Sequence, residues 1–182
     1  SGRFGSETGA NDMVEFCLEC PIGFWSSVEG ISSIGSCTRC ELGRYSSATG
    51  MSVEATACLL CVKGYYSDVF PTHDDPVKDS ECTPCPKGKF LNFAGASDVS
   101  DCTDCPTGTY LGVEGSTKVD DCKACPTGTY LDETGKTVVF ECKDCRAGRN
   151  GANTGLVEAQ HTDIQIGCGN CPVGKYQAMP GE

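Results

Sequence analysis

The sequence predicts a small, disulfide-rich fold: an elongated tandem-repeat rod, mostly irregular, with short β-hairpins and no large hydrophobic core. Three observations support this prediction. The 182 residues include 16 cysteines, a density typical of disulfide scaffolds. The cysteines recur with a basic period of 20 residues, as expected of a repeat architecture. Leu, Ile, Val and Phe together make up less than a fifth of the chain, so cross-links must replace a large core.

Eight Cys-x-x-Cys pairs divide the chain into repeats. The predicted boundaries are a partial repeat over 1–19, regular repeats over 20–39, 40–60, 85–104, 105–124 and 125–144, repeats with insertions over 61–84 and 145–170, and a partial repeat over 171–182. The partial repeats continue the pattern past both ends. We therefore expect this chain to be a fragment of a longer array.

Between the cysteine pairs, a glycine is followed two residues later by an aromatic residue, and a second glycine comes five positions after that. The aromatic positions are Phe4, Trp25, Tyr45, Tyr66, Phe90, Tyr110, Tyr130 and Tyr176, and Asn150 breaks the series. Pro and Gly at fixed places leave no room for a long helix. A stretch such as Gly128-Thr129-Tyr130-Leu131 is β-prone, and Gly135 can turn the chain back at positive φ.

Each unit is therefore expected to be a small irregular hairpin. Its aromatic ring cannot form a shared core in so short a unit, so we expect the ring to lie over the disulfide and against the neighbouring repeat. Stacking of neighbours would then give a quasi-one-dimensional array.

The motif Cys-Pro-Thr-Gly-Thr-Tyr, followed by a glycine and Cys-x-x-Cys at 105–125 and 125–145, resembles the ephrin-receptor-like cysteine-rich repeat. It is also similar to the first module of tumour necrosis factor receptor domains. The resemblance covers nearly the whole chain and departs from the pattern at Asn150 and in the two lengthened units.

The resemblance implies that the Cys before Pro-x-Gly pairs with the first Cys of the next pair. The implied pairs are Cys20 with Cys37, Cys40 with Cys58, Cys61 with Cys82, Cys85 with Cys102, Cys105 with Cys122, Cys125 with Cys142, and Cys145 with Cys168. Cys17 and Cys171 would then find their partners outside this chain.

Zinc binding is the main alternative use of these cysteines, because two Cys-x-x-Cys pairs at this separation also fit a zinc site. Zinc sites would group the pairs two by two, with a period near 40 residues. Every 20-residue unit instead carries the same Pro, Gly and aromatic positions, which favours disulfides. Redox catalysis needs one activated pair at the start of a helix, and the repeat pattern provides no such context.

No catalytic site, metal site or cofactor is predicted. The two histidines, His73 and His161, lie in inserted stretches, where surface-loop roles are expected. A weak calcium role is left open because acidic residues collect before cysteine pairs, although no twelve-residue calcium loop is present. These residues are Glu81, Asp101, Asp120, Asp121 and Glu141, together with the run His73-Asp74-Asp75 in an insertion.

Glycosylation can be predicted only in part. None of the asparagines has Ser or Thr two positions later, so N-glycans are not expected. O-glycosylation is a hypothesis for hydroxyl residues in predicted turns, namely Ser26, Ser27, Thr107, Thr109, Thr127 and Thr129.

Charge and hydropathy restrict the partners. A net charge of −11 repels phosphate backbones, so nucleic acid is not an expected partner. No apolar run reaches the length of a transmembrane helix, so membrane attachment would need segments outside this chain. We expect protein partners, namely other copies or subunits of a surface or filamentous assembly.

The predicted function is that of an extracellular or cell-surface structural segment, in which disulfide-laddered repeats form a stiff stalk, a surface coat or a filament component. A variant surface antigen is an alternative within the coat class. A ligand-binding or adhesive receptor ectodomain is the alternative class. It is favoured by the extra loops at Val69 to Asp79 and Asn150 to Gly167, because binding is often carried by loops on a rigid scaffold.

Overall fold

The computed structural model describes residues 3–5, 17–72, 81–145, 147, 149–150, 168–171 and 173–176. Within them, sixteen short strands pair antiparallel into eight separate two-stranded hairpins, each formed by consecutive strands. The strands are β1 Arg3–Gly5, β2 Cys17–Glu19, β3 Phe24–Trp25, β4 Thr38–Arg39, β5 Arg44–Tyr45, β6 Leu59–Leu60, β7 Tyr65–Tyr66, β8 Thr83–Pro84, β9 Lys89–Phe90, β10 Thr103–Asp104, β11 Thr109–Tyr110, β12 Lys123–Ala124, β13 Thr129–Tyr130, β14 Lys143–Asp144, β15 Arg149–Asn150 and β16 Gly169–Asn170.

Helical structure in the described residues is limited to single turns that precede a cysteine pair. One is the α-helix α1, Glu54–Ala57. The others are 3₁₀ turns at Ile34–Ser36, Val99–Asp101, Val119–Asp121 and Val139–Glu141. The predicted fold class, a small disulfide-rich chain of short hairpins, is confirmed. The division into nine repeats stays a prediction.

The chain forms two compact units. Unit 1 comprises Ser1–Pro84 and Phe93–Asp101, and unit 2 comprises Cys85–Asn92 and Cys102–Glu182. Their buried residues are mainly half-cystines, with a few small or aliphatic side chains. In unit 1, for example, one buried cluster consists of Cys20, Phe24 and Cys37. Within the described part of the chain, burial is therefore divided among small clusters around disulfides.

Backbone hydrogen bonds join one predicted repeat to the next. In unit 2, Gly88 N donates to Leu111 O over 2.9 Å, Leu91 N to Ser116 O over 3.0 Å, and Gly115 N to Cys85 O over 2.9 Å. The same three bonds recur 20 residues later, between the donors Gly108, Leu111 and Gly135 and the acceptors Leu131, Lys136 and Cys105. Because these bonds use main-chain atoms, they specify the junction without demanding particular side chains.

Two glycines are required by close backbone approach as well as by positive φ. Gly43, with φ +74°, faces the carbonyl group of Gly95 in unit 1. Gly88, with φ +80°, faces the carbonyl group of Gly135 in unit 2. A Cβ atom at either position would overlap that carbonyl oxygen. In both places the first glycine of one repeat therefore lies against the second glycine of the repeat two further along the chain.

Candidate interaction surface

Fourteen cysteines form seven disulfides, and every one links the second Cys of a pair to the first Cys of the next. The bonded pairs are Cys20–Cys37, Cys40–Cys58, Cys61–Cys82, Cys85–Cys102, Cys105–Cys122, Cys125–Cys142 and Cys145–Cys168. The partners lie 17 to 23 residues apart. Cys17, which is exposed, and Cys171, which is half-buried, form no disulfide within the described residues, and their expected partners outside this chain stay a prediction.

The aromatic residues are placed differently from one another. Trp25 packs against the buried cluster of Cys40, Ala57 and Cys58, and thus against the disulfide of the next predicted repeat. The disulfide of its own repeat, Cys20–Cys37, is covered instead by the preceding residue, Phe24.

The remaining aromatics range from half-buried to fully exposed. Those at half-buried positions are Tyr45, Tyr66, Phe90, Tyr110 and Tyr130. Tyr176 is exposed, and Phe4 lies in β1, with its side chain outside the described residues.

Three acidic residues that precede cysteine pairs clamp the 3₁₀ turns. Asp121 Oδ2 accepts the backbone N–H groups of Thr117 and Lys118 at 3.1 and 3.2 Å, and Glu141 Oε2 accepts those of Thr137 and Val138 at 2.9 and 3.1 Å. Asp101 makes the same contacts to Ser97 and Asp98. These carboxylates satisfy turn N–H groups, a role that the sequence reading did not identify.

The pKa of Glu141 is lowered from its ordinary value of 4.5, first by the hydrogen bonds from the Thr137 and Val138 N–H groups and then by the nearby Lys136 ammonium. That ammonium lies 2.6 Å from Glu133 and 3.6 Å from Glu141, and its own pKa is raised, chiefly by the hydrogen bond to Glu133. The ionised form of Glu141 is therefore the form that holds the turn.

No group of three or more His, Cys, Asp or Glu residues suited to holding a metal ion occurs in the described parts of the chain. His73 and His161 lie outside those parts, as do Asp74 and Asp75. The calcium role stays a prediction.

The hydroxyl residues considered for O-glycosylation differ in accessibility. Ser26 and Thr109 are buried, so a glycan on either would have to be added before folding. The hydroxyl groups of Thr109 and Thr129 donate to Pro106 O and Pro126 O at 2.7 and 2.8 Å. Ser27 and Thr127 are exposed and Thr107 and Thr129 are half-buried, which leaves these four as the accessible candidates.

A groove in unit 1 is lined by Tyr45, Val62, Tyr65, Glu81 and Cys82, and we call it the tyrosine groove. Its volume is about 300 Å³. Leu59 pairs directly opposite Tyr45 across β5 and β6, and directly opposed residues share a face of the hairpin. The groove and Leu59 therefore form one largely apolar surface.

A second cavity, of about 330 Å³, adjoins this groove because both are lined by Glu81 and Cys82. Asp68 and Val69 also line it. Phe70 follows Val69 in sequence, and the guanidinium carbon of Arg39 lies 4.0 Å from the centroid of the Phe70 ring. Tyrosine rings, carboxylates and exposed apolar side chains thus occur together in unit 1.

The exposed apolar residues of this region occupy positions that are polar or proline in most other repeats, with Leu18 at the position of Leu59 and Ala124 at the position of Leu60 as apolar exceptions. Leu59, Leu60 and Val62 are 40%, 49% and 59% exposed. The corresponding residues around three cysteine pairs of unit 2 are Thr103, Asp104 and Pro106, then Lys123, Ala124 and Pro126, and then Lys143, Asp144 and Arg146. The sequence contains this signal as Cys-Leu-Leu-Cys-Val at 58–62, but the sequence reading relied on the inserted loops and overlooked it. The loop residues 73–80 and 151–167 lie outside the described residues.

No helix among the described residues is both long enough and apolar enough to cross a bilayer. A family model described as tyrosine-protein kinase ephrin type A/B receptor-like matches three overlapping ranges, 49–102, 72–122 and 97–142. Together they cover about half of the chain. No curated protein matches the sequence. The matched ranges fall on cysteine-rich repeats of a non-catalytic, extracellular kind, in agreement with the seven disulfides.

Proposed function

The chain belongs to the tyrosine-protein kinase ephrin type A/B receptor-like family, and from this premise we propose that it is a load-bearing segment of an extracellular protein. In this role its repeats act as a stalk, a surface coat or a filament component. The observation that carries the proposal is the recurring junction. The repeats 85–104 and 105–124 are each tied to the following repeat by three backbone hydrogen bonds and closed by their own disulfides.

This construction suits mechanical load because each disulfide removes its loop from the length that force can extend. A loop of 17 residues contains about 55 Å of chain beyond its closed ends, at about 3.5 Å per residue. Loops of this size also stabilise the folded chain by about 3 kcal/mol each in the chain-entropy account. Protein partners of such a segment would be other copies or subunits of the same assembly.

Single-molecule pulling of the oxidised chain tests the load-bearing role. We expect short extensions while the disulfides are intact and about 55 Å of added contour for each disulfide that is reduced. The double variant Cys105→Ser, Cys122→Ser should add one such increment in the absence of reductant. Long extensions of the oxidised wild type would contradict the proposal, because the force path would then run through the loops.

Ligand binding is a second candidate function, and the exposed apolar surface of unit 1 favours it specifically. Leu59 and Val62 are exposed beside a groove lined by two tyrosines. Exposed apolar surface with polar residues around it is typical of protein interaction sites. A receptor ectodomain or an adhesive module would use such a surface while the regular repeats serve as its support.

A further inference from the structure

We propose that the tyrosine groove binds an arginine or lysine side chain presented by an extracellular protein partner. The proposal rests on the second function above, a binding role, and adds the chemistry of the partner. The groove residues, their charges and the contrast with the regular repeats each contribute to it.

The groove lining fits a cation that has an apolar stem. Tyr45 and Tyr65 line the groove, and the faces of tyrosine rings attract guanidinium and ammonium groups. Val62, which is 59% exposed, offers an apolar contact for the methylene stem of an arginine or lysine. The volume of about 300 Å³ is at the low end for small-molecule sites, so one inserted side chain fits better than a large cofactor.

The groove has a carboxylate that can pair with a positively charged ligand. Glu81 is exposed, and within the described residues its carboxylate has no hydrogen-bond or ion-pair partner. Asp68 lines the adjoining cavity together with Glu81. The whole chain carries a net charge of −11, which steers positively charged partners toward it.

The two arginines of this region are engaged elsewhere. Arg44 Nη1 donates to Cys58 O over 2.7 Å, and its side chain alternates with that of Tyr45 along β5, so the two point to opposite faces. Arg39 lies over the Phe70 ring. That contact shows that an aromatic ring of this unit already accepts a guanidinium group. Lys63 is exposed and is not among the groove residues.

The regular repeats supply a natural comparison. Tyr65 corresponds to Thr109 and Thr129, and Val62 corresponds to Pro106 and Pro126. The backbone of this fold therefore accepts threonine and proline at these positions. Tyr65→Thr and Val62→Pro convert the groove to the regular pattern without introducing a residue that the repeat does not already use.

The test is an amide NMR titration of the oxidised chain with three blocked tripeptides, Leu-Arg-Leu, Leu-citrulline-Leu and Leu-Glu-Leu. Citrulline keeps the shape of arginine and removes its charge. We expect the arginine peptide to shift the resonances of Tyr45, Val62 and Tyr65, and the other two to leave them unchanged. Glu81→Gln should weaken binding about threefold, and Tyr65→Thr about tenfold.

Glu114→Gln is the matched control, because it removes the same charge from an exposed glutamate that is not part of the groove. It should leave the affinity unchanged. A citrulline peptide that binds the groove as well as the arginine peptide would overturn the assignment of a cation and leave the binding role standing. Absence of groove shifts with all three peptides would overturn the proposal and the binding role together, while the pulling experiment would still decide the mechanical one.

Discussion

Residues 40–84 of unit 1 and residues 105–144 of unit 2 repeat one backbone pattern with different side chains. The residue after the aromatic is buried in both regions, but it is Ser46 and Ser67 in the first and Leu111 and Leu131 in the second. At the exposed positions between the two cysteines of a pair, the first region is the more apolar one. Leu59 and Leu60 are exposed in the first region, whereas the second places Lys and Ala or Lys and Asp at those positions.

The comparison shows that main-chain bonds and disulfides carry the fold while side chains are free to diverge. Gly43 N donates to Ser67 O at 2.9 Å, just as Gly108 N donates to Leu131 O at 3.0 Å. The same junction hydrogen bond thus forms whether the accepting carbonyl belongs to a serine or to a leucine. At these positions the first region buries serine and exposes leucine, whereas the second buries leucine, and exposed apolar residues grouped in this way are typical of a surface used for contact.

The largest loss of stability is expected from adding a methyl group where a glycine of each region lies against a backbone carbonyl. Gly43→Ala and Gly88→Ala should each destabilise their unit by about 3 kcal/mol, because positive φ is unfavourable for alanine and the new Cβ meets a backbone carbonyl that cannot move freely. Calorimetry of the oxidised variants measures this loss. Hydrogen exchange at Gly115, whose N–H bonds Cys85 O, locates it for the second variant.

Gly30→Ala is the control for conformation alone, since Gly30 has φ +71° and nothing within 4 Å of the added atom. Its expected loss is about 1 kcal/mol. Equal losses at Gly30, Gly43 and Gly88 would contradict the close-approach argument.

Substitutions at the buried position after the aromatic should destabilise the two regions to different extents. Leu111→Ala should destabilise unit 2 by about 2–3 kcal/mol, since it removes a fully buried aliphatic side chain. Ser46→Ala should change stability by less than about 1 kcal/mol, because within the described residues its Oγ makes a single long hydrogen bond, to Ala48 O at 3.4 Å. Thermal unfolding of both variants measures the difference, and similar losses would mean that the two regions are packed alike.

Cysteine density, the 20-residue period and the recurring Gly and aromatic positions were sufficient to predict the fold class, because a chain with so few large aliphatic residues must be held by cross-links. The pairing of the cysteines was implied only by the resemblance to the ephrin-receptor-like repeat. Gly135 also has the positive φ expected of it, +70°. The buried Leu111 and Leu131 were not predicted, although Leu91, Leu111 and Leu131 each follow a repeat aromatic at the 20-residue period. Within one unit a single leucine shows no strand or helix periodicity, so the signal appears only when successive repeats are compared. The tyrosine groove was missed because its lining comes from residues separated by up to 37 positions, from Tyr45 to Cys82.

In unit 2 the carboxylates of Asp121 and Glu141 accept hydrogen bonds from the 3₁₀ turns. The stability that these hydrogen bonds contribute should depend on pH. Because hydrogen bonds to the ionised form lower the pKa of Glu141 in the folded chain, its stabilisation is complete above the ordinary value of 4.5 and is lost as pH falls through the lowered pKa. Glu141→Gln should therefore lower the melting temperature at pH 7 and become indistinguishable from wild type in strong acid. A difference that persists in acid would indicate a loss of packing rather than of charge.

The smallest change in stability is expected at the exposed position occupied by Leu59 in the first region and by lysine in the second. Leu59→Lys gives β6 the residue found at the corresponding position of β12 and β14, and since Leu59 is 40% exposed, stability should change by less than about 0.5 kcal/mol. The reciprocal control, Lys123→Leu, should be equally silent. If calorimetry finds both changes silent, the leucine of the first region does not serve stability, and a contact with another molecule becomes the reason for an exposed apolar residue there. A loss above about 1 kcal/mol for Leu59→Lys alone would instead assign that leucine to the packing of unit 1.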